Sequence, residues 1–360
     1  MSIFGAQTAD VPKFDEAARD YDALLVMSFG GPEGMDDVIP FLENVTRGRN
    51  IPRARLEEVA HHYEHFGGVS PITAQNRALI AALETELVAH GIDLPIYFGN
   101  RNWHPFIADT ICQMKADGVR RVLVFVTSAF SSYSGCRQYR EDIIRASEEA
   151  GGAPAFDKLR MFYNHPGFIG PNVENLQRAL AQFPPHHRPD VRVAFTAHSV
   201  PMGMANSSAY VRQLREACRL VAEQAGVAHY DLVYQSRSGA PHIPWLEPDI
   251  LDHMEALSGQ GFNNLVIHPI AFISDHMEVL YDLDTEAVDK AHELGMTMAR
   301  AATVGTHPAF IAMIRELIVE RMTANPARRA IGGYGPNHDI CPLDCCLKGD
   351  SPRPSMGAGV

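Results

Sequence analysis

The chain has 360 residues, 46% hydrophobic and 21% charged, which excludes a disordered polymer and allows two domains with a sizeable core. Its 31 Lys and Arg against 43 Asp and Glu leave a net charge of −12, so nucleic acid is not the expected partner, because phosphate binding needs a basic face. No apolar run approaches the ~20 residues of a membrane span, and residues 1–21 form a polar arm without a signal-peptide core, so a soluble cytoplasmic protein is expected.

In chain order, short apolar runs predict strands at 23–28, 96–98, 122–128, 159–163, 192–197, 232–235, 265–270 and 296–299. Amphipathic stretches between them predict helices at 76–90, 105–116, 138–150, 210–226 and 248–258. The alternation predicts an α/β fold with parallel sheets, and the unbroken apolar runs predict helices on both faces. The two halves also resemble each other: 24–32 aligns with 193–201, 97–106 with 234–243, and 118–131 with 261–274. The expected organisation is an arm (1–21), two similar Rossmann-like lobes (22–184 and 185–330) and a tail (331–360). Ligands of open α/β sheets sit beyond the carboxyl ends of the strands, so Phe29 and His198 would face a cleft between the lobes.

Several side chains at those strand ends can carry chemistry. His198 follows an apolar strand directly; it is suited to act as a base or metal ligand, or simply to hydrogen-bond a neighbouring loop. His276 and Glu278 lie at an expected helix start, with Ser274 or Asp275 as N-cap. From Glu278, four-residue steps reach Asp282 and Glu286, a carboxylate ladder that reads as a metal site or as a solvated acidic face. Arg47, Arg49, Arg53 and Arg55 form a basic loop against the acidic background, matched to a ligand with several carboxylates. His61, His62 and His65 have helical spacing but sit in a polar stretch. No phosphate-binding glycine fingerprint or serine-nucleophile elbow is present. Of six cysteines, Cys112, Cys136 and Cys218 are scattered as core thiols would be, whereas Cys341, Cys345 and Cys346 crowd together as metal ligands would.

Four motifs, Met27-Ser-Phe-Gly-Gly-Pro32, Gly67-Gly-Val-Ser-Pro71, Thr196-Ala-His-Ser-Val-Pro201 and Ser274-Asp-His-Met-Glu-Val-Leu-Tyr281, closely resemble those of the ferrochelatase family, in family order. The resemblance implies insertion of Fe(2+) into a porphyrin during heme biosynthesis, in a cleft between two chelatase-type lobes. It carries His198 to the family's active-site histidine and Glu278 to its opposing acid. Imidazole and carboxylate suit a transient Fe(II) site, and a base of near-neutral pKa takes the pyrrole protons. The resemblance also places Tyr63, Ser70 and Tyr139 at the porphyrin, with Arg47 beside it. His276, Asp282 and Glu286 become candidates for an iron or proton path. Some relatives have an iron-ligating Tyr where this chain has Phe29, so no axial role is expected there.

The segment 50–59 is charged where membrane-associated relatives that use protoporphyrin have a greasy lip, and the Phe-Gly-Gly form of the first motif resembles enzymes of high-GC Gram-positive bacteria that use coproporphyrin III. That substrate is therefore expected ahead of protoporphyrin IX. A non-catalytic tetrapyrrole or metal carrier, and chelation of cobalt or nickel, are the rival readings, and contact with other heme-pathway enzymes is compatible with the resemblance. Some ferrochelatases hold a 2Fe–2S cluster through one internal and three C-terminal cysteines, which implies Cys136, Cys341, Cys345 and Cys346 here. Zinc on the same thiolates and unliganded thiols are the alternatives. Cys112 and Cys218 are read as structural.

Overall fold

The structure, a computed structural model, describes residues 12–48, 51–240 and 242–349; the first part of the expected arm, Arg49 of the basic loop and the last residues of the tail lie outside these. Eight strands form two parallel four-stranded sheets. In the first, β1 (Ala23–Ser28) pairs with β2 (Ile96–Asn100) and β3 (Arg121–Val126), and β3 pairs with β4 (Ala155–Lys158), giving the order β2-β1-β3-β4. The second repeats it with β5 (Arg192–His198), β6 (Tyr230–Gln235), β7 (Asn264–His268) and β8 (Thr297–Arg300), in the order β6-β5-β7-β8. The α/β fold with parallel sheets flanked by helices is thus present, and the internal repeat is a repeat of sheet topology.

The apolar strands are buried on both faces because each face meets different helices. Ala23, Leu25 and Met27 point to one side, against Ile107, Ile111, Met114 and Ala146. Leu24 and Val26 point to the other, into a core shared with Leu79, Leu83, Phe168, Phe310 and Ile314. Val193, Phe195 and Ala197 of the second sheet enter this same core, while Ala194 faces a separate layer with Val233, Met254, Val279 and Leu283. One core therefore runs between the two sheets. Helix Pro308–Met322, which follows β8, packs against helices Ile72–Ala89 and Pro166–Leu180 of the first half. Its Glu320 takes a bidentate pair from buried Arg160, at 2.7 and 2.8 Å.

Three local expectations need correction. The run 159–163 is buried but is not a strand: the ladder to β3 ends at β4, just before it. An apolar run reports burial, and here burial comes from leaving the sheet into the core. The basic segment is not a loop to its end: helix Arg53–Glu64 begins inside it behind Pro52, whose fixed φ suits a helix entrance, so Arg53 and Arg55 are helical. Cys112 is exposed on its helix and belongs to no core, whereas Cys218 is buried.

Candidate functional site

β5 ends on His198, and the loop after β7 leads to helix Met277–Tyr281 with Glu278 in its first turn. His198 Nε2 and Glu278 Oε2 lie 3.6 Å apart, with side chains one-third and one-half exposed. Pairing of His198 Nδ1 with the Ser199 carbonyl turns Nε2 towards Glu278. From behind, the Tyr210 hydroxyl donates to the His198 carbonyl at 3.1 Å. Burial opposes charge on His198, but the Glu278 carboxylate outweighs it and raises the pKa to about 9. Burial likewise opposes the Glu278 charge, and His198 overrides it, holding that carboxyl down at about 2. The two behave as one ion pair that remains open to solvent.

His276, not Ser274 or Asp275, is the N-cap, its Nδ1 accepting from the Glu278 N–H at 3.2 Å. Burial is the main cause that lowers the His276 pKa. The helix does not continue with simple four-residue spacing: Asp282–Glu286 is a π-turn, a form enriched at functional sites. Asp282 accepts from Gln235 Nε2 at 3.1 Å and from the Ser236 hydroxyl. Ser236 holds a left-handed φ of 61° directly after β6. Burial raises the Asp282 pKa to about 7, against those hydrogen bonds and aided by Glu278. Glu286 is also raised, by burial and then by Asp249. Gln235, Ser236 and Asp249 were not singled out in the sequence, although Gln-Ser-Arg-Ser-Gly at a strand end is a signal of a loop that presents polar groups.

Helices Met35–Val45 and Arg53–Glu64 form a cap whose small core includes Phe41, Leu56, Tyr63 and, from beside Glu278, Met277. His62 stacks on Tyr281, ring centroids 3.8 Å apart, so this cap reaches the helix that carries Glu278. Tyr63 is buried, and its pKa is raised by burial and by Glu278. Ser70 is buried in the glycine turn, tied through its N–H to the Pro32 carbonyl at 2.9 Å, and Gly31 is required there because a Cβ would lie 2.7 Å from Ser70 Cβ. Tyr139 is buried beneath the Arg101 guanidinium, 4.7 Å from its ring, and Arg101 also covers Phe29 at 5.7 Å. Arg101 is held by buried Asp142 and was missed in the sequence. Arg53 and Arg55 pair with Glu43, Glu57 and Glu58, whereas Arg47 bonds only the Asn44 amide oxygen among the described residues. Met35 and Val69 are exposed apolar neighbours on the cap, and Ile51 is exposed as well.

The second constellation joins distant parts of the chain. Cys136 is buried on a π-turn, Tyr133–Arg137, and lies within hydrogen-bonding reach of Cys341 and Cys346. Cys345 Sγ is 3.4 Å from Cys346 Sγ and 3.9 Å from His338 Nε2. Adjacent side chains normally diverge; Cys346 takes a left-handed φ of 57°, which turns both thiols to one centre at the expense of local strain. All four cysteines, with Arg137, Arg140 and Lys158, line one small cavity. Hydrogen bonds from Cys136 and Cys345 lower the Cys341 thiol, while the contacts within the group raise Cys136, Cys345 and Cys346, so the four sulfurs favour a single thiolate at Cys341. Four convergent thiols fit a 2Fe–2S centre, and His338, Cys341 and Cys345 alone could hold a single metal ion. His338 and Lys158 were not legible in the sequence, since neither has a characteristic spacing to the cysteines.

Two four-stranded parallel sheets of one topology, with a histidine–acid pair open at one end of the second, are the two-lobed α/β arrangement of a chelatase-type fold. The solved structure of SirB from Bacillus subtilis with Fe3+ shares the fold at a TM-score of 0.50 and 15% identity, covering 82% of this chain and 94% of that one. The ferrochelatase family profile matches residues 21–322. A ferrochelatase of Rhodopirellula baltica is 59% identical, with 91% of this chain and 93% of the relative covered. A coproporphyrin III ferrochelatase of Streptomyces coelicolor is 53% identical, covering 94% and 96%. The chain belongs to the ferrochelatase family and is a metal-inserting chelatase, a lyase. Among the described residues no helix is long and apolar enough to cross a membrane.

Proposed function

We propose that this chelatase inserts Fe(2+) into coproporphyrin III, in the cytoplasm, with His198 and Glu278 as its catalytic pair. The observation that carries the catalytic reading is the open ion pair of these two residues. Metal insertion exchanges one dication for two pyrrole protons, so the site needs a base beside a transient cation ligand. With Nδ1 engaged by the Ser199 carbonyl, His198 Nε2 supplies the base once its own proton has left. Glu278 holds the proton on His198 in the resting site and becomes a cation ligand when that proton departs. Asp282, whose pKa is about 7, and the acids beyond it are suited to pass protons or iron along the π-turn, with His276 fixing its entrance. Tyr63, Ser70, Tyr139 and Arg47 serve the porphyrin side of the cleft.

Support for the substrate comes from the Streptomyces coelicolor relative and from Arg47, whose guanidinium bonds an amide oxygen and has no carboxylate partner among the described residues. Exposed Met35 and Val69 favour the second reading, protoporphyrin IX, whose edge is greasier. An anaerobic assay with ferrous iron and each porphyrin, followed by the porphyrin absorption bands, separates them. Faster insertion into coproporphyrin III is expected; preference for protoporphyrin IX overturns the substrate. Insertion that survives His198→Ala unchanged overturns the catalytic pair.

The four cysteines are proposed to hold a 2Fe–2S cluster, on the strength of their convergence in one cavity. Such a group supplies one-electron redox capacity and ties the tail to Cys136. Colourless protein without sulfide removes this reading, and zinc in its place supports the tetrathiolate site alone. Contact with neighbouring heme-pathway enzymes is part of the same proposal and is tested by co-purification of the chain with them.

A further inference from the structure

The thiols make up only part of the cavity they line; three cations complete it. Arg137 is already engaged, by Glu141 at 2.7 Å and by the carbonyls of Leu343 and Cys345 at 2.8 and 3.1 Å. Arg140, like Lys158 and Cys341, also lines a larger, mostly apolar cavity beside this one, and it departs from a helix rather than from the sheet. Lys158 differs from both. It ends β4, opposite Val124 of β3, so strand pairing fixes where its side chain departs. Its Nζ donates to the Leu159 carbonyl at 2.9 Å, and among the described residues no carboxylate lies within ion-pair distance of it. A half-buried ammonium without a carboxylate is costly unless an anion faces it. The ring of four cysteines is what faces it.

We propose that Lys158 is the counter-charge of the centre held by Cys136, Cys341, Cys345 and Cys346, favouring its reduced state and its retention. The proposal rests on the cluster reading above. A 2Fe–2S centre with four thiolates carries two negative charges when oxidised and three when reduced by one electron. A fixed positive charge stabilises the trianion more than the dianion, so it raises the reduction potential and slows loss of the metal. Lys158 is a positioning residue in this sense: it touches no porphyrin and no substrate iron.

The test uses the full chain, purified anaerobically as wild type, Lys158→Met and Lys158→Arg. Iron and acid-labile sulfide are measured, and the centre is then titrated with dithionite and redox dyes under EPR. The expected result is a more negative midpoint in Lys158→Met, a near-wild-type midpoint in Lys158→Arg, and faster release of iron to a chelator in the Met variant only. Loss of the centre in Lys158→Met but not in Lys158→Arg supports the proposal too, as a retention effect of charge. Loss in both variants, or an unmoved midpoint in a fully loaded Lys158→Met protein, overturns it while leaving the cluster reading intact. Wild type without iron and sulfide overturns the cluster reading and this proposal together.

Discussion

Replacing Glu278 by Gln removes the charge that holds the His198 proton while leaving a side chain of the same shape. In the native pair His198 has a pKa of about 9, so at pH 7 only about 1 in 100 molecules has a free Nε2 lone pair. Once the carboxylate is gone, burial pushes the imidazole down against the remaining pull of the Ser199 carbonyl and Asp282, and the ordinary value of ~6.5 serves as the reference, at which roughly three in four are neutral at pH 7. The full 2.5-unit fall, from about 9 to 6.5, is an upper bound because Glu278 is half exposed and its field is screened by water. A fall of one unit or more is expected. The readout is the pH profile of kcat/KM for metal insertion, which reports the free enzyme. The alkaline-rising limb of the wild type should move to lower pH in Glu278→Gln, even as the maximum rate drops by about 10²-fold or more through loss of the cation ligand. An unmoved limb would refute the reasoning, because it would mean that another group governs the profile.

Other outcomes follow from particular contacts. Arg160→Met leaves Glu320 buried without its partner and should cost about 3–5 kcal/mol in urea denaturation, most of it restored by Arg160→Met with Glu320→Leu. His268 is fully buried, burial lowers its pKa to about 3, and its Nε2 meets the Asn172 amide oxygen at 2.8 Å. It stays neutral in the fold but takes a proton below ~6.5 when unfolded, so its contribution is present above that value and is lost as pH falls towards 3; stability should drop about 2 kcal/mol more from pH 6.5 to 5 than in His268→Gln. Gly135→Ala drives a Cβ to 2.7 Å from Ser128 Oγ at the turn carrying Cys136, so iron content on purification should fall while the porphyrin-binding spectrum changes little.

How much of this was legible depends on which physical signal each element leaves. β1 reads directly from 23–28 because a strand covered on both faces must be apolar throughout, and the paired repeats gave away the second sheet. The run 159–163 leaves the same signal without being a strand, since side chains entering a shared core are as apolar as those in a sheet. His198 and Glu278 were legible through family motifs, but their 3.6 Å approach depends on β5 and β7 pairing side by side, which brings the end of one strand beside the loop that follows the other. The π-turn at Asp282 is invisible to a four-residue count, because a single extra residue per turn leaves no compositional mark. Arg101 and Lys158 were illegible for a different reason. Each is an ordinary cation in sequence and acquires meaning only from a ring or a thiol brought beside it by the sheet.

The same sheet logic joins the two sites. Helix Tyr210–Ala225 carries Tyr210, which holds the backbone of His198, and one turn on carries Gln213 and then Glu216. Gln213 bonds Ser131 in the first lobe at 3.0 Å and Asn337 in the tail at 3.2 Å, and Glu216 accepts from the Gly333 N–H at 2.9 Å. The tail is anchored again by Asp339, which Arg328 grips at 2.9 Å, and it then delivers the three clustered cysteines to Cys136. The helix behind His198 is therefore clasped by the segment that carries the clustered cysteines. Closing that centre fixes a loop of about two hundred residues, and the entropy so removed from the unfolded chain favours the docked tail over the released one. Loss of the centre would leave hydrogen bonds, ion pairs and a few apolar contacts, such as Ile331 against the core and Arg212 over the Tyr334 ring, to hold the clasp. A metal centre bound at these cysteines would therefore need no part in the proposed chelation step to matter for it, because it would steady the helix behind His198.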